Sequence, residues 1–262
     1  MAAEPALTGT AGVSPASSDG FIQGTVKSEK PESVAFNEGG RDARGPSKSG
    51  HRQRLMPFPM IVKDNEISHI RASELIRCGG VIAFRTDTFY GLGADPLNRA
   101  AVARIRKLKG REDDKPILLI VSDADEVDRF IEQSDFFKLV AKDKWPAPLT
   151  LIGFSRPEVP IELTAGTKSL GIRLPDDDDV RSLVRACGGA LTATSANISG
   201  QPPARTAKEV ENYFPEGIDL IIDGGEATAT EPSTVLDLSG SGARLVREGA
   251  ISRAELANFG VR

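Results

Sequence analysis

Residues 81–95 read VIAFRTDTFYGLGAD, an apolar run directly before a polar, glycine-containing segment. The run 81–84 is typical of a buried strand, and α/β sheets usually bind ligands just beyond the ends of their strands. Gly91 and Gly93 match the start of a dinucleotide fingerprint, but Pro96 stands where its third glycine belongs. The segment 85–95 therefore predicts either a ligand loop or an ordinary turn whose Thr and Asp side chains bond their own backbone.

Helix and strand patterns alternate along the rest of the chain. Ala72, Leu75 and Ile76 share a helical face before the Gly79 turn, and Asn98 is suited to cap a helix that ends at Gly110. Further helices are predicted over 125–131, 134–142, 180–186, 206–214 and 252–259, and strands over 81–84, 117–121, 149–154, 170–174, 190–194, 218–222, 234–238 and 243–246. Because some connections are too short for crossovers, we expect an α/β (α+β) fold with a mixed sheet.

Residues 1–55 differ in composition from the rest of the chain. They are rich in Ala, Gly, Ser, Pro and Glu and show neither helical nor strand periodicity. A transit peptide is the alternative, but Glu4 and Asp19 precede the first basic residue, Lys27. We therefore predict a disordered tail over 1–55 and one catalytic domain over 56–262.

The composition excludes several classes of protein. The 33 Lys and Arg against 37 Asp and Glu give a net charge of -4, which excludes a uniformly basic nucleic-acid coat but allows a local basic cleft. Two cysteines and two histidines cannot supply a disulfide framework, a Cys-rich zinc site or a histidine-based triad. No apolar run approaches the roughly 20 residues that cross a bilayer, and no secretory signal opens the chain. We expect a cytoplasmic protein that does not bind membranes.

Two further segments suit the binding of an anion. Lys109 and Arg111 flank Gly110 after a helix, where they either complement the helix dipole or project into a cleft that binds phosphate. The segment 192–200, TATSANISG, offers hydroxyl, amide and backbone donors beyond a strand. The alternative is that it is an ordinary Ser/Asn-rich turn that binds no ligand. Neither segment is a Walker A loop. The acidic run 176–179 is better interpreted as the start of a helix than as a metal site, because acidic residues cap helix N-termini and complement the helix dipole.

Taken together, seven segments resemble the YrdC/Sua5 family of threonylcarbamoyl-AMP synthases across residues 65–250. They are 86–95 (TDTFYGLGAD), 108–111 (LKGR), 145–150 (WPAPLT), 171–175 (GIRLP), 194–200 (TSANISG), 233–235 (STV) and 246–249 (VREG). The departures from the family are mild: Arg85, Glu112 and Ala147 stand where many members carry Pro, Pro and Gly, and Asp178 replaces a frequent His. The chain resembles the short, single-domain members.

The resemblance implies a fold and a reaction. The fold would be a YrdC-like twisted mixed sheet flanked by helices, with a deep basic cleft. The reaction would join L-threonine, bicarbonate and ATP into threonylcarbamoyl-AMP and pyrophosphate, with Mg²⁺ arriving with ATP. The product would pass to the tRNA threonylcarbamoyl-transfer machinery that modifies adenosine 37, and direct contact with tRNA is a further expectation.

The resemblance also implies roles for individual residues. Lys109 and Arg111 would be the catalytic cations. The nucleotide would be bound by Lys109, Arg111, Asp113, Ser169, Ser195, Asn197, Arg205 and Arg247. Threonine would be bound by Thr86, Leu118, Arg173 and Ser233, and no residue is predicted to ligate a metal. Two alternatives remain: an RNA-binding module that uses the same cleft without turnover, and a carbamoyl-transfer enzyme of related fold that uses carbamoyl phosphate.

Overall fold

The computed structural model describes residues 59–110 and 115–261. The α-helices are α1 Glu66–Arg77, α2 Arg99–Lys109, α3 Asp135–Lys144, α4 Ile161–Thr164, α5 Asp178–Ala186 and α6 Ala207–Tyr213, and 3₁₀ helices span Ala124–Arg129 and Ala254–Phe259. The strands are β1 Met60–Lys63, β2 Ile82–Arg85, β3 Tyr90–Gly93, β4 Leu119–Val121, β5 Ile131–Glu132, β6 Leu149–Ser155, β7 Ser169–Arg173, β8 Ala190–Thr192, β9 Thr194–Ser195, β10 Leu220–Asp223, β11 Thr234–Asp237 and β12 Arg244–Arg247. The predicted tail over 1–55 lies outside the described residues.

Two mixed sheets form the framework of the described chain. The first has the strand order β1-β10-β2-β3-β9, and the second has the order β12-β11-β6-β7-β4-β8, with β5 paired to β6. Each sheet combines parallel pairs, such as β10 with β2 and β11 with β6, with antiparallel pairs. The mixed α/β fold predicted from the sequence is confirmed, but its strands divide between two sheets.

The chain passes from one sheet to the other at Ala193. The predicted strand 190–194 is interrupted there: β8 pairs with β4, whereas β9 pairs with β3. The amide of Ala193 donates to the Leu118 carbonyl oxygen at 2.9 Å, so the crossing point is bound to the end of the second sheet. This crossing brings the segment after β9 close to the ends of strands from both sheets.

The predicted helix starts agree with the structure. Asn98 caps α2 by accepting a hydrogen bond from the Ala101 amide at 3.1 Å, and Thr206 caps α6 in the same way. Asp177 caps α5 by accepting from the Val180 amide, which confirms the helix-start interpretation of the acidic run 176–179.

The core surrounds β2 on both faces. Val81 and Ala83 belong to one cluster of buried residues, and Ile82 and Phe84 belong to a second cluster that includes residues of α1 and α5. All four side chains are fully buried. An unbroken apolar run, rather than alternation, is what such a two-sided strand requires.

The segment 85–95, which was predicted to be a loop or turn, contains a strand. Its second half is the strand β3, which pairs antiparallel with β2 and places Gly93 opposite Ile82. A Cβ at Gly93 would lie 2.7 Å from Cε1 of Phe84, so this glycine makes room for the core aromatic ring. The strands β1 and β5 and the helix α4 were also not predicted. The predicted helices 125–131 and 252–259 are both shorter 3₁₀ helices, and Ile131 lies in β5.

Helices of the described chain are all too short or too polar to cross a membrane.

Candidate active site

A cavity of about 630 Å³ lies where the two sheets meet. It is bounded by the turn before β3, the C-terminal ends of α2 and β7, the segment after β9, and the segment that leads into β11. The predicted residues that line it are Thr86, Lys109, Leu118, Arg173, Ser195, Asn197, Ser233 and Arg247. The structure therefore brings together, in one cavity, residues expected for the nucleotide and residues expected for threonine.

Lys109 joins the end of α2 to the segment after β9. Its Nζ donates to the carbonyl oxygen of Ser195 and to the carbonyl and side-chain oxygens of Asn197, at 3.0 and 3.2 Å for the latter two. Asn197 in turn donates from Nδ2 to the carbonyl oxygens of Ile198 and Gln201. Gly110 ends α2 in the left-handed region at φ 56°, so the lysine occupies the last helical position. The ammonium group is held in place from several directions at the cavity wall.

Arg173 occupies the end of β7, almost wholly buried at 4% exposure. Its Nη1 donates to Thr88 Oγ1 at 3.3 Å and its Nη2 to Thr86 Oγ1 at 3.4 Å, and Nη2 lies 3.1 Å from the Asp87 carboxylate. Burial lowers the pKa of Arg173, and the Asp87 carboxylate opposes that shift. The guanidinium group is thus fixed by three consecutive residues of the turn between β2 and β3.

Arg247 lies on β12 beside the entrance to β11. Its Nη2 donates to the Ser233 carbonyl oxygen at 2.7 Å and to the Ser233 hydroxyl at 3.3 Å. The Ser233 hydroxyl is also 3.0 Å from Thr150 Oγ1, and both hydroxyl-bearing residues are buried. This chain of contacts joins β6, β11 and β12 at the cavity.

The positive charges in the cavity repel one another. Burial lowers the pKa of Arg247, and the Arg173 guanidinium lowers it further. Lys109 and Lys115 also line the cavity, and its described lining contains no carboxylate. An anion placed among these groups would relieve the repulsion between them.

Two of the predicted residues that the structure describes, Ser169 and Arg205, are not part of the cavity lining. Ser169 lies at the other end of β7 from Arg173, about 13 Å away along a strand that rises roughly 3.3 Å per residue. The Arg205 guanidinium donates to the Ala229 carbonyl oxygen. Arg111 and Asp113 lie outside the described residues. The roles expected for these four residues stay predictions.

The sequence did not single out several residues that shape the site. Asp87 and Thr88 contact Arg173, Thr150 contacts Ser233, and Lys115 adds a cation to the lining. Asp87 and Thr88 fall inside the quoted segment 81–95. Their position directly after a buried strand could therefore have indicated that they belong to the site. The contact of Thr150 depends on the pairing of β6 with β11, which local sequence does not reveal.

Gly249 permits a close approach of backbone beside Ser233. A Cβ at this position would lie 2.2 Å from the Pro232 carbonyl oxygen and 2.9 Å from the Ser233 carbonyl carbon. The Gly249 amide donates to Thr234 Oγ1 at 3.0 Å, and the Ala250 amide donates to the Pro232 carbonyl oxygen. The absence of a side chain at Gly249 therefore allows the segment 246–249 to lie directly against Pro232 and Ser233.

The described residues do not form a protein-held metal site. Over 59–110 and 115–261, no three His, Cys, Asp or Glu side chains are grouped as metal ligands would be. The cavity instead presents ammonium, guanidinium, hydroxyl and amide groups. These groups can donate hydrogen bonds to an anion, and the described lining offers no carboxylate that could ligate Mg²⁺.

Comparison with known proteins identifies the family. The model of the Sua5/YciO/YrdC family, described as telomere recombination, matches residues 74–249. The chain belongs to the Sua5/YciO/YrdC family. This confirms the family that the seven sequence segments predicted.

Curated relatives of this Sua5/YciO/YrdC chain are named threonylcarbamoyl-AMP synthases. The protein from Idiomarina loihiensis is 37% identical over 165 residues, which cover 60% of this chain and 87% of the relative. The protein from Pyrococcus abyssi is 35% identical over 186 residues, which cover 71% of this chain and 55% of the relative. The chain thus spans little more than half the length of the Pyrococcus relative.

Solved structures of the family share the fold. Pyrococcus abyssi Sua5 complexed with L-threonine superposes with a TM-score of 0.72 and 32% identity, covering 77% of this chain and 60% of that chain. Escherichia coli YciO gives a TM-score of 0.67 and 27% identity, covering 74% of this chain and 96% of that chain. Full-length HypF, at 17% identity and a TM-score of 0.61, supports the fold alone.

Proposed function

We propose that this chain is an L-threonylcarbamoyladenylate synthase, a nucleotidyltransferase that condenses L-threonine, bicarbonate or CO2, and ATP. The family, the names of the relatives and the threonine complex of Pyrococcus abyssi Sua5 support the assignment. The observation that carries it is the meeting of buried Arg173 and buried Lys109 in one cavity. Such a cavity can hold two anions in contact, as the reaction requires.

Arg173 is the group best suited to bind the carboxylate of threonine. A guanidinium group can donate two parallel hydrogen bonds to a carboxylate, which a lysine cannot. Because the Arg173 side chain is already held in place, binding of the substrate does not require the entropic cost of ordering it. Thr86 and Ser233 add hydroxyl groups to the cavity lining, and Leu118 supplies apolar surface.

Lys109 is placed to bind the phosphates of ATP. Its ammonium group lines the cavity and is held by oxygens of Ser195 and Asn197. Charge that develops on the phosphates during displacement would be stabilised by a group already in position, so no reorganisation is needed at that step. Arg247 and Arg111 would add to this stabilisation.

The reaction balances without a covalent intermediate on the protein. The amine of threonine adds to CO2 with loss of a proton and gives a carbamate. A carbamate oxygen then attacks the α-phosphorus of ATP, and the bond from that phosphorus to the bridging oxygen of the leaving pyrophosphate breaks. When bound with ATP, Mg²⁺ supplies neutralising charge to the pyrophosphate. The residues of this chain contribute proximity and fixed cationic charge.

We also propose a pathway and a cell compartment for this reaction. An acyl-phosphate product of this kind is reactive toward amines, so it would be passed to a transferase that modifies tRNA. We place this step in the cytoplasm. An RNA-binding role without turnover is the second candidate, since Lys109, Lys115, Arg173 and Arg247 would also attract RNA phosphates.

Direct detection of the product tests the proposal. The purified chain would be incubated with ATP, L-threonine and ¹³C-bicarbonate, and the reaction would be quenched and analysed by mass spectrometry. We expect threonylcarbamoyl-AMP that carries one ¹³C atom. RNA binding that weakens steeply with salt, together with no adenylate product, would favour the second candidate instead.

A further inference from the structure

Asp87 is a buried carboxylate for which the proposed reaction has no direct use. Its side chain is 5% exposed, and it does not line the cavity. Neither of its carboxylate oxygens makes a hydrogen bond of good geometry with the described residues. Burying an ionised carboxylate in this way is costly unless a cation stabilises it.

The cation that stabilises Asp87 is Arg173. The Arg173 Nη2 atom lies 3.1 Å from Asp87 Oδ1, and both side chains are 5% exposed. Burial raises the pKa of Asp87, and the Arg173 guanidinium is the largest opposing influence. Asp177 raises the same pKa, whereas backbone amides at Asp87 and Asp176 lower it. The two groups therefore support each other's charged forms.

The turn that carries Asp87 is itself rigid. Thr86 Oγ1 donates to the Phe89 carbonyl oxygen at 2.7 Å and accepts from the Thr88 amide at 3.2 Å. The same two threonines accept hydrogen bonds from the Arg173 guanidinium. Asp87 is thus fixed between two residues that already contact its partner. The orientation of Arg173 is determined by the geometry of this turn.

Not every donor of Arg173 is used by these contacts. Its Nε is buried and has no hydrogen-bond partner among the described residues. Arg173 lines the cavity, whereas Asp87 does not. The Arg247 guanidinium, which also lines the cavity, repels the same positive charge. An anion bound in the cavity would therefore contact Arg173 and not Asp87.

We propose that Asp87 is a positioning residue for threonine recognition, which holds the Arg173 guanidinium in the orientation that receives the substrate carboxylate. The inference rests on the proposed function and extends it to a residue that does not touch the substrate. Asp87 acts through Arg173 in two ways. It compensates the cost of burying the guanidinium, and it fixes the plane of its donor groups.

The test is the steady-state kinetics of Asp87→Asn, which keeps the shape of the side chain and removes its charge. We expect the KM for threonine to rise by at least about tenfold, while the KM for ATP changes by less than about twofold. The matched control is Asp219→Asn. Asp219 is also a carboxylate paired with an arginine, Arg104, at 2.7 Å, and neither residue lines the cavity. We expect this control to leave both constants unchanged.

A double-variant cycle separates positioning from a general loss of structure. In an Arg173→Lys background, Asp87→Asn should change the threonine KM by less than about twofold. The reason is that this background already lacks the guanidinium group that Asp87 is proposed to orient. Equal effects of Asp87→Asn in both backgrounds would overturn the inference. If Asp87→Asn does not fold, the same kinetic test would use Asp87→Glu. This variant displaces the carboxylate by one methylene, so we expect it to raise the threonine KM as well.

Failure of this inference can be told apart from failure of the proposed function. An unsubstituted chain that makes no adenylate would overturn the proposed function and this inference with it. An active unsubstituted chain whose Asp87→Asn variant keeps the threonine KM, with only a lower thermal midpoint, would overturn the inference alone. Asp87 would then stabilise the fold without orienting the substrate site.

Discussion

Lys109 donates hydrogen bonds to the carbonyl and side-chain oxygens of Asn197, at 3.0 and 3.2 Å, across 88 positions of sequence. These contacts connect the two segments that separately suited anion binding, the end of α2 and the segment after β9. A phosphate bound beside Lys109 would also meet the hydroxyl and amide groups of the second segment. The two sequence motifs therefore lie together in the lining of one cavity.

Replacing Lys109 by alanine should reduce activity strongly while the fold is retained. We expect kcat/KM to fall by roughly 10² to 10³, the loss that follows removal of one preorganised donor. The thermal midpoint should also fall, because oxygens of Ser195 and Asn197 lose a buried partner. Lys107→Ala is the control: Lys107 lies in the same last turn of α2 but is exposed. Equal losses for the two variants would contradict a specific role for Lys109.

Arg173→Lys should impair threonine binding more than ATP binding. Lysine keeps the charge but loses the planar fork, and it cannot reach Thr86, Asp87 and Thr88 together. We expect the KM for threonine to rise by about tenfold or more, with the KM for ATP nearly unchanged. Arg99→Lys, at an exposed ion pair with Glu162, is the control. A raised KM for ATP with an unchanged KM for threonine would show that Arg173 binds phosphate.

Gly249→Ala should disturb the site through the backbone. The new methyl group would lie 2.2 Å from the Pro232 carbonyl oxygen, so the segment that carries Ser233 must shift. We expect a loss of about 1 to 3 kcal/mol in stability, as for other overpacking changes, together with reduced activity. The control is Gly240→Ala, where nothing lies within 4 Å of the added Cβ. A chemical denaturation midpoint equal in both variants would contradict the close approach.

The two cysteines should differ in reactivity. Cys78 is exposed, whereas Cys187 is buried and its burial raises the pKa of the thiol to about 12. At pH 8, only about one Cys187 in 10⁴ is therefore a thiolate. Mass spectrometry after brief labelling with iodoacetamide should show modification at Cys78 alone, and at both positions after denaturation. Rapid labelling of Cys187 in the folded protein would contradict its burial.

Local patterns predicted the elements whose signals are confined to a few neighbouring residues. Asn98, Thr206 and the acidic run 176–179 marked helix starts, and each cap has the expected hydrogen bond. The strand β3 was not predicted because it contains Gly91 and Gly93, and glycine is disfavoured in strands. The presence of glycine at position 93 is explained only by the packing of the Phe84 ring against it.

The candidate site shows the same division between local and long-range information. The family motifs identified Lys109 and Arg173, but the ion pair between Asp87 and Arg173 joins residues 86 positions apart. Their meeting depends on which strands lie side by side, which spacing along the chain does not encode. The predicted strand 170–174 excludes Ser169, whereas the structure places Ser169 at the first position of β7, outside the cavity lining.

The most direct test of the proposed reaction is the release of pyrophosphate with each substrate omitted in turn. The unsubstituted chain would be assayed with ATP, L-threonine and bicarbonate together, and then without each one, in CO2-depleted buffer when bicarbonate is omitted. We predict pyrophosphate release only when all three are present, because the carbamate must form before the α-phosphorus is attacked. Pyrophosphate release at an equal rate without threonine would contradict the account.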